Sequence, residues 1–158
     1  MASLVVFDSY FGNTEIVARA VAEMLAAAGP VRALRVNQVE LGHLDEVTLV
    51  VVGSPTRAFR PSPGTQAWLA KLPPGRLEGV RVAAFDTRVD VASSGNPLLS
   101  AMARWFGYAA PPIEKRLLQL GGSLAGPAEG FVVEDKMGPL REGETDRARA
   151  WARALADG

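Results

Sequence analysis

The 158-residue chain predicts an α/β fold: a three-layer, doubly wound domain on a five-stranded parallel sheet. Three observations predict it. Residues 4–7 (LVVF), 47–52 (VTLVVV) and 80–85 (VRVAAF) are short, largely continuous apolar runs, the pattern of strands buried on both faces. Segments of helical periodicity separate these runs, and Gly, Pro, Ser and Asn cluster at the junctions. Right-handed crossovers then leave one economical arrangement, helices on both faces of a parallel sheet. No internal repeat, low-complexity tract or linker interrupts the chain, so residues 1–158 are expected to be one domain, long enough to bury a full core.

Taken in order, the first strand leads into a helix expected from about Asn13 to Ala28. Its apolar face combines the row Ile16, Ala20, Met24 with the row Val17, Val21, Leu25, and Gly29-Pro30 stops it. Residues 31–36 read as a strand, whose Arg32 and Arg35 suit a sheet edge. An irregular connector (37–46) precedes the central strand 47–52, which is expected to end at Gly53. After the loop 54–63 comes a helix carrying Trp68, Leu69 and Leu72, closed by Pro73-Pro74. Strand 80–85 and loop 86–96, with its Ser93-Ser94-Gly95-Asn96 end, lead to a helix with Leu98, Leu99, Met102, Trp105 and Phe106 on one side. Pro111-Pro112 starts another helix (Ile113, Leu117, Leu120) that Gly121-Gly122 ends. A last strand near 130–133 precedes a helix with Ala148, Trp151, Ala152 and Leu155 on one stripe. Trp68, Trp105 and Trp151 all fall on apolar stripes, which predicts core packing for each.

Composition excludes several functions. Seventeen basic residues balance seventeen acidic ones, which gives no electrostatic footprint for nucleic acid or an anionic membrane. Without cysteine there is no disulfide, thiolate metal site or thiol nucleophile. Met1 leads directly into a strand, and no apolar run approaches the roughly 20 residues of a membrane helix, so a soluble, cytoplasmic protein is expected. His43 stands alone in the connector and reads as a surface residue.

The chemistry concentrates at the first strand–helix junction, Ser9-Tyr10-Phe11-Gly12-Asn13-Thr14. A strand, a tight loop and a helix N-terminus make an anion site, because unpaired N–H groups and the helix dipole point outward while Ser and Thr hydroxyls complete the cradle. No Lys is present, which suits a phosphate that is held, not transferred. Asp8 is a turn former or an orienter of this loop, the turn being the simpler reading. In such sheets ligands bind beyond the C-terminal ends of the strands. Loops 54–63 and 86–96 leave those ends too and exceed the two to six residues, roughly, that a βα link needs. The acidic residues of 86–90 also read as a solvated loop paired to local arginines.

These residues resemble the flavodoxin family. Residues 9–14 (SYFGNT) are similar to its phosphate signature Ser/Thr-x-Thr-Gly-x-Thr, with Phe11 at the middle Thr. Residues 53–57 (GSPTR) look like the corresponding segment of flavodoxin-like quinone reductases, and residues 130–133, 138–140 and 143–144 like the tail of flavodoxin-domain proteins. The resemblance implies strand order 2-1-3-4-5 and FMN as cofactor. Carried over, Ser9, Tyr10, Phe11, Gly12, Asn13 and Thr14 would surround the phosphate. Ser54, Pro55, Thr56, Arg57, Ala58 and Phe59 would line the ribityl chain and one flavin edge, with Thr87 and Arg88 opposite. Tyr10 or Phe59 would supply a partial stacking platform, since the third loop has no aromatic.

The implied role is electron carriage or FMN-dependent reduction of a small molecule, with an unidentified redox protein or small acceptor as partner and a monomer or dimer as the assembly. A binding module with weak or lost FMN affinity is the alternative. A receiver-type domain lacks its acidic pair and a P-loop NTPase its GxxxxGK[ST]. The overall charge balance, with Arg57, Arg60 and Arg88 near the site, departs from the acidic habit of carrier flavodoxins. One cation about 6 Å from a reduced flavin, at an effective dielectric near 20, contributes on the order of 3 kcal/mol before solvent screening. The second reduction step should therefore be less negative than in an acidic flavodoxin.

Overall fold

The structure, a computed structural model, describes residues 2–90 and 95–158. Val91 and Ser93-Ser94 of the third loop lie outside the described residues, as does the Phe106 side chain. Six strands, β1 (Ser3–Phe7), β2 (Val31–Arg35), β3 (Leu49–Pro55), β4 (Arg81–Val89), β5 (Ser123–Leu124) and β6 (Glu129–Val133), form one sheet of order β2-β1-β3-β4-β5 in which β6 also pairs with β4. Every pairing is parallel. The fifth position of the expected 2-1-3-4-5 order is thus filled by two pieces. β5 pairs with Arg81 and Val82, and β6 with residues 85–89. Between them Ala128 N–H donates to Glu114 and the Pro127 carbonyl accepts from Trp151 Nε1 (3.0 Å), so this backbone is satisfied by helices in place of the ladder.

The described residues form five α-helices, α1 (Asn13–Leu25), α2 (Pro63–Lys71), α3 (Pro97–Phe106), α4 (Ala110–Gln119) and α5 (Glu144–Asp157), of which α1, α2, α4 and α5 pack on the sheet. Because successive strand residues point to opposite faces, the apolar runs feed two cores. On one face Leu4, Val6, Val50, Val52 and Val82 meet Trp68 and Leu69 of α2 and Ile113 and Leu117 of α4. On the other, Val5, Phe7, Val51 and Phe85 meet Val17, Val21 and Leu25 of α1 and Ala148, Trp151 and Leu155 of α5. Each such buried large side chain stabilises the fold by about 1.5–3 kcal/mol. Phe85, Phe131 and Trp151 pack edge to face at 5.9–6.0 Å. The Phe85 ring lies over Gly53, where a Cβ would come within 2.0 Å of it, so no side chain fits there.

Four sequence expectations are corrected. α1 ends at Leu25, and residues 26–28 close it as a single 3₁₀ turn; Ile16 faces solvent, so only part of its row reaches the core. β3 runs through Gly53 to Pro55, and β4 through Asp86 to Val89. The polar tips of the two expected loops pair with each other (Ser54 opposite Asp86, Pro55 opposite Thr87) and are strand. α4 starts at Ala110, one residue before Pro111. Trp68 and Trp151 are buried as expected, whereas Trp105 of α3 is 85% exposed, and Leu98 and Leu99 are exposed with it. Ala103 is buried, but among the described residues no side chain of α3 belongs to either of the two core clusters.

Candidate functional site

The three loops leaving β1, β3 and β4 converge as expected, and hydrogen bonds lock them together. Asp8 accepts from Ser9 N–H (2.9 Å) and, through its other oxygen, from Ser62 Oγ (2.5 Å). It is therefore both the turn former and a tie to the second loop, where Ser62 also caps α2 by accepting from Thr65 N–H. Arg35, on the edge strand, donates to the Ser9 carbonyl (3.3 Å) and to Glu15 in the first turn of α1.

At the N-terminus of α1 the local sequence forces an open cap. Gly12 takes a left-handed conformation (φ 94°) and donates its N–H to Ser9 Oγ (3.0 Å). No side chain caps this helix, and the first intrahelical bond runs from Ile16 N–H to Gly12 C=O. The earlier N–H groups of the first turn are left for an acceptor beyond the helix end. Thr14, buried, shares a 2.7 Å hydroxyl contact with Thr87 of β4, which joins the first and third loops.

The loops enclose a cavity of about 740 Å³, inside the range of roughly 300–1,000 Å³ usual for small-molecule sites. Of the residues singled out in the sequence, Ser9, Tyr10, Phe11, Asn13, Thr14, Pro55, Thr56, Arg57, Ala58, Thr87 and Arg88 line it. Three do not. Gly12 shapes the turn beneath it. Ser54 is fully buried, donating to the Pro55 carbonyl and accepting from Ser62 N–H, and so braces the second loop from inside. Phe59 sits at the tip of a hairpin in which Arg57 and Arg60 exchange backbone hydrogen bonds (2.7 and 2.9 Å). Ala58 and Phe59, the two turn residues, both have positive φ (48° and 64°), unusual for residues with side chains.

Sequence reading missed Gln66, Val133 and Lys136 as lining residues. The last two belong to the chain leaving β6, so the rule that loops after strand C-termini bind ligands would have found them. That loop also closes over α1: Asn13 Nδ2 donates to the Met137 carbonyl (3.1 Å), and a Cβ on Gly138 would meet the Asn13 amide at 2.7 Å.

One wall is electrostatic. Asp86, placed by the sequence in a solvated loop, is fully buried on β4 and grips Arg88 with both oxygens (2.7 Å each) while accepting from Ala110 N–H (2.9 Å). Burial pushes its carboxyl above the ordinary value of 3.8, with the Arg88 hydrogen bonds pulling the other way. The Arg88 guanidinium lies 3.7 Å from the centre of the Tyr108 ring and covers Gly130, where any Cβ would strike it. Arg88 is thus held and its charge compensated, unlike Arg57, which rests on the Tyr10 ring (4.6 Å). His43 accepts from Glu40 N–H, and no metal-ligating cluster exists among the described residues.

A profile of the flavodoxin family matches residues 5–151. The chain belongs to the flavodoxin family. That family generally binds FMN. Among solved structures, oxidised flavodoxin 2 from Bacillus cereus superposes with a TM-score of 0.76 at 19% identity, covering 99% of both chains. A flavodoxin from the domain Archaea gives 0.75 at 18% identity, over 99% of this chain and 97% of that one. The rubredoxin oxygen:oxidoreductase of Desulfovibrio gigas contains the same fold in 35% of its length (TM-score 0.74, 16% identity, 99% of this chain). No curated protein matches the sequence. Among the described residues no helix of this flavodoxin-family chain is long and apolar enough to cross a membrane.

Proposed function

We propose that the chain is an FMN-binding flavoprotein of electron transfer or small-molecule reduction. The observation that carries this reading is the uncapped N-terminus of α1 opening into a cavity of about 740 Å³ that no carboxylate lines. A phosphate supplies the acceptor that this helix end lacks, and the helix dipole favours its charge. The N–H groups of the first turn would hold it, with the Ser9 and Thr14 hydroxyls beside them. Pro55, Thr56 and Arg57 would flank the sugar chain and one ring edge, with Thr87 and Arg88 opposite. The exposed rings of Tyr10 and Phe11 would shield the ring system from water. When bound, FMN supplies one- and two-electron redox chemistry; the protein orients it and sets its potential through nearby charge.

The compensation of Arg88 by Asp86 narrows the electrostatic expectation: among the described residues Arg57, Arg60 and Lys136 line this site without an ion pair. The visible spectrum of the purified protein, followed by FMN titration of the flavin-free form, tests the assignment. A yellow protein, or one that takes up FMN stoichiometrically, supports it. A protein that stays colourless throughout the titration supports the module with lost affinity, which the lack of a ring stacked from the third loop favours.

A further inference from the structure

The cavity mouth carries charge that a phosphate at α1 does not use. Arg57 and Arg60 stand exposed on the hairpin and Lys136 on the loop after β6, all three lining the cavity, while Arg104 stands exposed in the last turn of α3, outside the lining; none forms an ion pair among the described residues. Asp135, beside Lys136, turns its carboxylate onto the Lys136 backbone N–H (2.7 Å), and Asp90 is already engaged within the protein. α3 itself presents large apolar side chains to solvent, with Leu98 68% and Trp105 85% exposed. The chain just beyond α3 is pinned to the cavity wall. Tyr108 covers Arg88, Ala109 N–H donates to Thr56 Oγ1 (3.1 Å), and Ala110 N–H donates to Asp86. An exposed Trp and Leu bordered by arginines is the composition of a docking surface.

We infer that the cavity mouth and the adjoining face of α3 form a docking site for an acidic redox protein; the redox character of the partner rests on the FMN assignment. The cations sit on three separate segments, the hairpin, the loop after β6 and α3, which matches an extended anionic surface better than one small anion. A second copy meeting this face about a two-fold axis would oppose like charges, which disfavours self-association here.

Biolayer interferometry on the full chain with FMN added, against an acidic plant-type [2Fe–2S] ferredoxin and against basic cytochrome c, tests this. Ferredoxin binding should weaken at least about tenfold between about 20 and about 200 mM salt, and cytochrome c should not bind. Arg104→Glu and Trp105→Ser lie outside the cavity. Each should weaken ferredoxin binding about tenfold or more while leaving FMN titration unchanged. Binding to cytochrome c, absence of salt-sensitive ferredoxin binding, or indifference to both variants overturns the inference. So does flotation of the protein with phosphatidylglycerol vesicles that Trp105→Ser abolishes, or a dimer in sedimentation that this variant disperses. FMN uptake without ferredoxin binding removes this inference alone; ferredoxin binding without FMN uptake removes the cofactor assignment alone and leaves the docking site standing.

Discussion

Two buried carboxylates in this chain respond to pH in opposite senses. Glu144, in the first turn of α5, accepts from Val132 N–H (2.7 Å) and from Arg147, whose guanidinium also reaches Glu129 and the Gly130 carbonyl. The Arg147 hydrogen bonds hold the Glu144 carboxyl below its ordinary 4.5, so its stabilisation is full above that value and disappears as pH falls through the lower folded value. Burial raises Asp86 from 3.8, so its contribution is full below 3.8 and fades as pH rises through the higher folded value. Glu144→Gln should therefore cost about 2 kcal/mol at neutral pH and progressively less as pH falls below 4.5, as urea unfolding across a series of acid pH values would show. At the ligand site, Gly12 has no heavy atom within 4 Å of a would-be Cβ, so backbone strain alone governs replacement. Gly12→Ala should cost about 1–2 kcal/mol of stability, measured by thermal melting. The sequence carried the geometry of this loop almost completely, because strand, turn and helix start are contiguous. The pairing of Asp86 with a local arginine was legible, but its burial was not, since a charged residue after an apolar run reads as the end of a strand.

At the level of elements, what decides is the surface each one faces. The stripe of α5 and that of α3 look equally apolar in the sequence, yet only α5 has a partner layer. Trp151→Ala should cost about 3–5 kcal/mol in chemical denaturation, and Trp105→Ala within about 0.5 kcal/mol. A loss of about 3–5 kcal/mol from Trp105→Ala would show that α3 packs as the periodicity implied. Strand ends were misjudged for a related reason. β3 and β4 extend each other through Ser54–Asp86 and Pro55–Thr87, and pairing between distant segments leaves no local mark. The hairpin 57–60 is locally strained, with Ala58 at φ 48°. Ala58→Asn, better suited to that conformation, should raise stability by about 0.5–1 kcal/mol, visible as a higher melting temperature.

For the molecule as a whole, a net charge of zero conceals segregation: the ion pairs Arg35–Glu15 and Arg147–Glu129 fasten α1 and α5 to their surroundings, while among the described residues Arg57 and Arg60 at the cavity form no ion pair. The sheet order was legible through the family resemblance, and the two cores through the unbroken apolar strands. The split of the fifth strand was not, because β5 holds only two residues. The proposed function rests on a phosphate held at the start of α1 by main-chain N–H groups. Parallel titration of the flavin-free protein with FMN and with riboflavin, followed by flavin fluorescence, isolates that phosphate. FMN should bind at least about a hundredfold more tightly, since charge-assisted hydrogen bonds from several N–H groups are each worth about 1.5–3 kcal/mol. Equal affinity for the two flavins would show that the helix terminus holds no phosphate.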